Sequence, residues 1–293
     1  MKTQTALDVI TDRNFLETTA EAVQPAILNT FKTGGEPGQK IKNALHGTWL
    51  GHPLHPALTD IPLGAWTAAL VFDLMAEADG AANPKAAADV AITVGLAGAA
   101  GAAVTGLTDW SATGGSARRS GLLHGLLNVG ATALYGASLW RRSAGDRRNG
   151  RTLAYAGYAV SAMAAYLGGH LVFSEQVGVN HTAQLELPSR FTAVMDEHDL
   201  PEGVLHRAEV DGVGVLLVRT NGTIHALAET CSHAGGPLAE GKLINGSVQC
   251  PWHASRFALD DGRVLDGPST FSQPCFEVQV RDGQIEVRAA GGG

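Results

Sequence analysis

Four long apolar stretches in the first 173 residues most constrain what this chain can fold into. They cover residues 57–76, 87–109, 121–140 and 152–173. Crossing the hydrocarbon core of a bilayer takes roughly 20 helical residues, and each stretch is about that long. Small residues recur along them, as from Gly95 to Gly106, and let membrane helices approach closely. The sequence predicts a four-helix membrane bundle, with an alanine-rich soluble bundle as the alternative.

The first 44 residues are predicted to form an amphipathic helix and a linker. Apolar residues recur there at helical intervals with acidic and polar residues between them: Phe15, Leu16, Val23, Ile27 and Phe31. Such a helix lies on a membrane surface or against the bundle. The first ten residues lack a basic start followed by an apolar run. We therefore expect no secretory signal, and insertion through the first span.

Ionisable residues in or beside the apolar stretches are costly to bury in lipid and mark a site. In an up-and-down bundle, the starts of the odd spans and the ends of the even spans meet at one end. Six residues occupy those positions: His52, His55, Asp60, Asp109, His124 and His170. They are suited to a haem or quinone site. The alternative is structural, with these groups in turns or hydrogen-bonded to one another within the bundle.

The same region contains three recognisable motifs. They are GHPLHPALTDIPLGAW from Gly51 to Trp66, GLTDW at 106–110 and GGHLVF at 168–173. Together they resemble the four-helix bacterial membrane domain of unknown function called DUF2231, over about residues 45–180. The resemblance implies a fold and a membrane location, and it implies no settled activity.

The C-terminal part of the chain differs in charge and in pattern. Residues 174–293 carry 16 acidic and 8 basic residues, whereas residues 1–173 carry 12 and 13. Binding to nucleic acid needs a concentrated basic patch, so we expect no nucleic-acid partner. After a polar linker at 174–188, short alternating runs separated by NG and DG pairs predict a small antiparallel β domain over 189–289. The predicted class is a multidomain α plus β protein, with the membrane domain at 45–173.

Two short motifs in the β domain carry the strongest chemical signal. Cys231-Ser-His233 and Cys250-Pro-Trp-His253 are separated by sixteen residues. Two thiolates and two imidazoles can hold one zinc ion, but structural zinc sites usually pair like ligands as C-x-x-C and H-x3–5-H. One cysteine and one histidine from each loop suit a [2Fe-2S] cluster in which two cysteines hold one iron and two histidines the other.

The surrounding residues carry a second resemblance. CSHAGGPLAEG, CPWHASRF and the later GPSTFSQP occur in the order found in Rieske domains, and residues 189–288 closely resemble that family. The resemblance implies that Cys231 and Cys250 ligate the inner iron. It also implies that His233 and His253 ligate the outer, more exposed iron and form the electron exit. The third cysteine, Cys275, lies outside both motifs and is predicted to be a core residue.

The sequence departs from the high-potential Rieske proteins of respiratory quinol oxidases. Those proteins have an additional cysteine in each ligand loop, joined as a disulfide, where this chain has Gly236 and Trp252. They also have a serine and a tyrosine that hydrogen-bond the cluster; here Ser255 is present and Phe257 replaces the tyrosine. Losing a hydrogen bond to cluster sulfur lowers the reduction potential. The resemblance therefore implies the lower-potential ferredoxin type of bacterial oxygenase systems.

Charges near the spans bear on the side of the membrane. Five arginines follow the third stretch: Arg141, Arg142, Arg147, Arg148 and Arg151. The positive-inside rule would place them in the cytoplasm and the β domain outside. Four basic residues on the opposite side nearly balance them: Lys40, Lys42, Arg118 and Arg119. With neither a loop disulfide nor an export signal, we expect the β domain on the cytoplasmic side of a bacterial cytoplasmic membrane.

The predicted function is one-electron transfer by a membrane-anchored Rieske protein. It would exchange electrons with unidentified donor and acceptor proteins or with quinone, and the bilayer is the other expected partner. The alternatives are a redox-sensing membrane module and an electron-supplying component of an oxygenase system. We expect no complete oxygenase within this chain, because a mononuclear iron site needs another large domain and only 40 residues follow His253.

Overall fold

The structure is a computed structural model that describes residues 14–79 and 82–290. The expectation for the first ten residues lies outside that part. The chain divides into two compact units. One contains the residues up to Gly38 together with Pro53–Val177, and the other contains Gln39–His52 together with the residues from Gly178 onward. The grouping of Gln39–His52 with the second unit is a feature that the sequence did not indicate, and the predicted domain boundaries stay predictions.

Long helices build the first unit. In the described residues they are α1 (Asn14–Thr33), α3 (Leu54–Asp79), α4 (Ala82–Trp110), α5 (Gly115–Ser143) and α6 (Arg147–Phe173), and α2 (Gly35–His46) runs from the first unit into the second. Four segments are long and apolar enough to cross a membrane: Leu54–Glu77, Lys85–Trp110, Gly115–Ser143 and Arg147–Phe173. The prediction of four spans is confirmed.

The bundle is built from two helical hairpins, α3 with α4 and α5 with α6. Trp66 of α3 stacks on Tyr135 of α5, with ring centroids 4.2 Å apart, at the centre of the buried core. Gly98 of α4 lies against α3, where an added Cβ would come 2.5 Å from Ile61 Cγ2. Such contacts explain the many small residues in the apolar stretches, because they let the helix backbones approach closely.

Helix α1 is amphipathic, as predicted, but its buried face differs from the predicted one. Leu16, Ala20 and Gln24 are buried, while Phe15 is 66% exposed. These buried positions recur every four residues and form one stripe. The Gln24 amide donates to the backbone oxygens of Trp110 at 2.8 Å and of Thr113 at 3.1 Å. A polar residue therefore fixes α1 against the bundle, which apolar periodicity could not indicate.

A buried ion network joins the four spanning helices where α3 and α5 end. The Arg142 guanidinium donates to both carboxylate oxygens of Asp73 and to Asp89 at 3.0 Å. Arg147 donates to the other oxygen of Asp89 at 2.8 Å. The side chains of Arg142 and Asp73 are each 1% exposed. One charged residue from each spanning helix takes part, so each helix is held by the charges of the others.

This network changes the number of loop charges that bear on the orientation of the chain in the membrane. The sequence placed Arg142 in a loop, but α5 continues to Ser143 and α6 begins at Arg147. Arg142 is therefore a buried helical residue. Because Asp73 neutralises its charge inside the bundle, Arg142 does not contribute to the loop charge that the positive-inside rule counts.

The second unit is built from three antiparallel sheets. Its strands are β1 (Thr192–Asp196), β2 (His206–Val210), β3 (Val213–Thr220), β4 (Thr223–Ala228), β5 (Lys242–Ile244), β6 (Ser247–Gln249), β7 (Arg256–Ala258), β8 (Val264–Asp266), β9 (Phe276–Arg281) and β10 (Gln284–Ala289). The sheet orders are β1-β10-β9, β2-β3-β4 and β5-β6-β7-β8. The predicted antiparallel β domain and the α plus β class are confirmed.

Tight turns connect consecutive strands as the NG and DG pairs predict. Asn221 and Gly222 between β3 and β4 have φ of 51° and 77°, and Asp282 and Gly283 between β9 and β10 have the same values. Two successive positive φ angles match the right-handed twist of a hairpin, and asparagine, aspartate and glycine adopt them most readily. These turns fix the register of the hairpins.

Strand β3 separates two buried cores. Val215 and Leu217 face the first core, which includes Ile285 of β10. Leu216 and Val218 face the second core, which includes both motif cysteines. Since successive side chains of a strand point to opposite faces, one strand supports both cores. The Cys-His motifs therefore rest on a packed apolar layer.

Candidate metal centre

The two Cys-His motifs form loops of the same construction. In the first, the Cys231 amide donates to Gly236 O at 2.8 Å and the Gly235 amide donates to Cys231 O at 2.9 Å. In the second, the Cys250 amide donates to Ser255 O at 2.8 Å and the Ala254 amide donates to Cys250 O at 3.2 Å. Each loop thus closes on its own cysteine. The paired backbone bonds hold both cysteines at the base of tight turns.

Each loop also has one residue with left-handed backbone conformation. In the first loop it is Gly235, with φ of 77°, and in the second it is Ala254, with φ of 63°. Glycine adopts this conformation without steric cost, whereas alanine is strained there. Strain of this kind is kept where the surrounding structure enforces it, commonly at functional sites. The surrounding structure therefore holds Ala254 of the second loop in a backbone conformation that is locally unfavourable.

The four predicted ligands lie together in two like pairs. Cys231 and Cys250 are both buried, and their thiols interact with each other. The imidazoles of His233 and His253 meet edge to face, with centroids 5.0 Å apart. In the described part of the chain, His253 Nδ1 is buried and has no hydrogen-bond partner. A buried ring nitrogen of this kind is available as a metal ligand.

The pairing of the donors bears on which metal the site fits. A tetrahedral zinc ion with bonds of about 2.0–2.3 Å brings its donor atoms within roughly 4 Å of one another. Among the described residues, no three of these four donors lie within 4.8 Å of one another. Instead, the two cysteines contact each other, and the two imidazoles contact each other. This arrangement fits a [2Fe-2S] cluster with two cysteines on one iron and two histidines on the other.

Glycine at position 236 lets the first loop approach the second. A Cβ at Gly236 would lie 2.9 Å from Cys250 Sγ and 3.0 Å from the Trp252 indole. No larger residue fits without moving the ligand loops. Trp252 is 57% exposed, and its indole lies against this glycine. The tight turn at Gly235 and Gly236 thus meets a specific steric requirement at the cysteine pair.

The environment shifts the pKa values of the two thiols in opposite directions and lowers those of both imidazoles. The hydrogen bond from Cys231 lowers the pKa of Cys250 to about 7, and the same contact, with burial, raises the pKa of Cys231. Burial lowers the pKa of His233 to about 3 and also lowers the pKa of His253. Thiolates and neutral imidazoles are the forms that ligate metals. Burial therefore favours the neutral, metal-binding form of both imidazoles, whereas the contact between the cysteines favours the thiolate at Cys250 and disfavours it at Cys231.

A buried amide that the sequence did not single out supports the first loop. Gln273 Nε2 donates to Ala228 O at 2.7 Å and to Thr230 O at 2.5 Å, and its Oε1 accepts from the Ser232 amide at 3.0 Å. One side chain therefore satisfies three buried backbone groups around the motif. Gln273 lies 40 residues after His233, so no local pattern could reveal this role.

Two serines extend the support to the second loop. The Ser232 and Ser269 hydroxyls lie 2.8 Å apart, and both donate to Phe271 O. The Ser269 amide donates to Ser255 Oγ at 2.9 Å. These bonds connect both ligand loops to the segment around Ser269. Ser255, expected from the resemblance to contact the cluster, is fully buried within this network.

The remaining motif residues pack in the second core. Phe257 is fully buried there beside Cys250, and Cys275 lies partly buried at the edge of the same core. Burial raises the pKa of Cys275 to about 11, so its thiol is neutral at ordinary pH. Both residues act as apolar packing groups.

The structure places the six ionisable residues of the predicted membrane-domain site in different settings, and it groups His52 with the second unit. His55 and His124 face each other with ring centroids 6.4 Å apart, and Asp109 interacts electrostatically with His55. His170 lies 3.3 Å from Glu175, which accepts a hydrogen bond from Ser120 at 2.8 Å. His52 and Asp60 are exposed. Glu175, Ser120 and Asn128 are further members of these groups that the sequence analysis missed.

The facing histidines are bonded to neighbouring helices. His55 Nδ1 lies 2.9 Å from Ala102 O of α4, and His124 Nδ1 lies 2.8 Å from Ala164 O of α6. The other ring nitrogen of His124 lies 3.1 Å from the Asn128 amide. These contacts tie α3 to α4 and α5 to α6, which favours the structural alternative. A haem or quinone site at these residues stays a prediction.

Comparison with protein families identifies both halves of the chain. Residues 190–277 match the family model of the Rieske [2Fe-2S] domain. Residues 51–181 match that of a predicted membrane protein family, DUF2231. The two matches follow each other along the chain, in agreement with both resemblances seen in the sequence.

Curated relatives share the Rieske part. Apoptosis-inducing factor 3 of Homo sapiens is 39% identical over 98 residues, which cover 33% of this chain and 16% of that protein. This chain therefore spans about one sixth of that relative. Ferredoxin CarAc of Metapseudomonas resinovorans is 31% identical over 90 residues, or 30% of this chain and 84% of the ferredoxin. The 3-phenylpropionate/cinnamic acid dioxygenase ferredoxin subunit of Escherichia coli K12 is 34% identical with the same coverage.

The two ferredoxins are matched over most of their length, and the four residues predicted as ligands lie together in pairs in the β unit. The helical unit has the four membrane-length helices expected of the other matched family. This chain belongs to the Rieske [2Fe-2S] family, and its Rieske domain is joined to a DUF2231 membrane domain.

Proposed function

We propose that this protein is a one-electron carrier that is held at a bacterial cytoplasmic membrane and exchanges electrons with separate donor and acceptor proteins. The observation that carries the proposal is the donor set of two paired thiols and two paired imidazoles. Cys231 and Cys250 would hold the inner iron, and His233 and His253 the outer one. The cluster supplies a reversible one-electron couple. The protein supplies the buried cysteine layer, the fixed loops and the membrane anchor.

An oxygenase is the acceptor class that the relatives favour. Two ferredoxins are similar to this chain over most of their length, and one of them is named as the ferredoxin subunit of a dioxygenase. A membrane-held ferredoxin would deliver electrons to an oxygenase working near the bilayer, where apolar substrates dissolve. This proposal accords with the missing loop disulfide and with Phe257, which removes a hydroxyl that would raise the potential.

Metal and spectral analysis tests the assignment. The full chain, purified anaerobically in detergent, is expected to contain about two irons and two acid-labile sulfides and to give a rhombic EPR signal when reduced. A Soret band would reveal haem in the bundle, and its absence would support the structural role of His55 and His124. Zinc in place of iron, or iron without acid-labile sulfide, would overturn the proposed function.

The cytoplasmic position of the Rieske domain makes a separate prediction. Protease added to spheroplasts is expected to leave a C-terminal tag intact, whereas the same protease should remove the tag in inverted membrane vesicles. Immunoblotting of the tag measures both results, and a periplasmic marker protein serves as the control for sealed membranes. Loss of the tag in sealed spheroplasts would place the domain on the opposite side.

A further inference from the structure

The segment Gln39–His52 is part of the Rieske unit, although it precedes the first span in the sequence. Asn43 lies on its helical part, which belongs to α2. The side-chain nitrogen of Asn43 donates to Leu265 O at 3.3 Å and to Asp266 Oδ1 at 3.0 Å. Its side-chain oxygen accepts from the Gly267 amide at 3.0 Å. One side chain therefore binds three consecutive residues at the end of β8.

The hydrogen bonds of Asn43 use the full capacity of its side chain. A primary amide has two N–H donors and one oxygen with two lone pairs. Besides the three bonds to the end of β8, the oxygen accepts from Gln39 Nε2 at 2.9 Å. Two bonds are donated and two are accepted. Neither an aspartate, which has no N–H donors, nor a leucine can make this set.

A second contact fixes Gly267 one helical turn after Asn43. His46 is buried, and its ring packs on this glycine, where an added Cβ would lie 3.1 Å from His46 Cδ2. The same Cβ would lie 3.2 Å from Thr48 Cγ2. The segment and the end of β8 are thus held together by close packing as well as by hydrogen bonds.

Two paths lead from these contacts to the second ligand loop. Gly267 precedes Ser269 by two residues, and the Ser269 amide donates to Ser255 Oγ at 2.9 Å. Asp266, which accepts from the same asparagine, pairs through its other oxygen with Arg256 Nε at 3.2 Å. Arg256 directly follows Ser255 in the chain. Both paths therefore end at Ser255.

Ser255 is fully buried beside a predicted ligand. Its carbonyl oxygen accepts from the Cys250 amide at 2.8 Å, and its Oγ accepts from the Ser269 amide. Among the described residues, the hydroxyl hydrogen of Ser255 has no acceptor. A buried hydroxyl normally donates a hydrogen bond. A cluster held by Cys250 would supply a sulfur acceptor for it.

We propose that Asn43 is a positioning residue for electron transfer, which raises the reduction potential of the cluster by fixing Ser255 so that its hydroxyl donates to cluster sulfur. Reduction adds one negative charge to the cluster, and a hydrogen bond donated to its sulfur stabilises that charge. The strength of such a bond depends on the distance and direction of the donor, which the two paths set. A segment that precedes the first span thereby takes part in setting the potential of the metal centre.

Redox titration of the full-length holoprotein tests this inference. Asn43→Leu is expected to shift the reduction equilibrium about threefold to tenfold toward the oxidised cluster, as expected for one weakened hydrogen bond. A tenfold shift corresponds to about 59 mV for one electron. Ala44→Leu introduces the same residue at the adjacent, exposed position and should leave the potential unchanged. If both variants have the same potential while sulfide analysis and EPR show intact clusters, the inference is wrong.

A double-mutant cycle tests whether Asn43 acts through Ser255. Ser255→Ala removes the hydroxyl and should shift the equilibrium in the same direction by at least as much as Asn43→Leu. Adding Asn43→Leu to Ser255→Ala should then cause little further shift, because no hydroxyl remains to be positioned. A general loosening of the domain would act equally in both backgrounds. A full additional shift in the double variant would therefore contradict the inference.

A smaller substitution covers the case in which leucine disturbs the fold. Asn43→Ala removes the same four hydrogen bonds and adds no bulk between α2 and β8. If Asn43→Leu loses its cluster, Asn43→Ala should retain the iron and sulfide and show the shift in potential. Loss of the cluster from both variants would contradict the inference, because Asn43 would then be needed for the fold of the site.

The inference rests on the proposed function, since it requires a cluster between the four predicted ligands. The two can fail separately. Absence of iron and sulfide from the unmodified protein would remove the proposed function. An intact cluster whose potential does not respond to Asn43 would leave the proposed function standing and remove only the role of this residue.

Discussion

Replacing Cys250 with serine is expected to remove the iron-sulfur cluster from an otherwise folded protein. The residue is buried, its sulfur contacts Cys231, and its backbone closes the second ligand loop. A serine hydroxyl does not replace the thiolate that holds iron in this family. Acid-labile sulfide and the rhombic EPR signal should fall to less than about a tenth of their original level. Chemical sulfide analysis and EPR of the reduced protein measure the effect.

The third cysteine provides a matched control. Cys275→Ser makes the same chemical change at a partly buried position on the edge of the second core. Sulfide and EPR signal should remain near their original levels, with a small loss of stability from the less apolar side chain. Retention of the cluster in Cys250→Ser, or its loss in Cys275→Ser, would contradict the assignment of ligands.

Replacing Arg142 with methionine is expected to destabilise the membrane unit by about 3–5 kcal/mol. The change removes the guanidinium that donates to both oxygens of Asp73 and leaves a carboxylate that is 1% exposed without its countercharge. Asp89 keeps Arg147, so the loss falls mainly on Asp73. Unfolding of the detergent-solubilised protein in increasing SDS, followed by circular dichroism, measures the change in free energy.

The neighbouring arginine tests whether burial is the cause. Arg141 is 47% exposed and pairs with Asp146 at 3.5 Å, so Arg141→Met should change the free energy of unfolding by less than about 1 kcal/mol. Adding Asp73→Asn to the Arg142→Met variant removes the orphaned charge and should recover part of the loss. Equal effects of the two arginine substitutions would show that Arg142 does not stabilise the bundle through a buried pair.

Prediction from sequence succeeded where the signal lies within a few consecutive residues. The ligand motifs each span three or four residues, and the NG and DG turns span two. The four spans follow from length and hydropathy, which depend on local composition. These features do not depend on contacts between distant segments, so they could be predicted from the sequence alone.

The features that were missed depend on contacts between distant segments. Gln273 is one glutamine among several polar residues, and only the fold brings it to the backbone of Ser232. The sequence assigns residues 39–44 to a linker and residues 45–52 to the membrane domain, and nothing in it indicates the surface that Asn43 binds. Asp73 and Arg142 lie near the ends of apolar stretches, where charges are normally exposed at the membrane interface.

The network around Gln273 connects the two ligand loops through a third segment. Its hydrogen bonds are made by protein atoms, and they join both ligand loops to the segment around Ser269. None of these bonds uses a side-chain sulfur or ring nitrogen of the four predicted ligands. A change at Gln273 or Ser269 should therefore disturb both halves of the metal centre together, although neither residue would touch the iron.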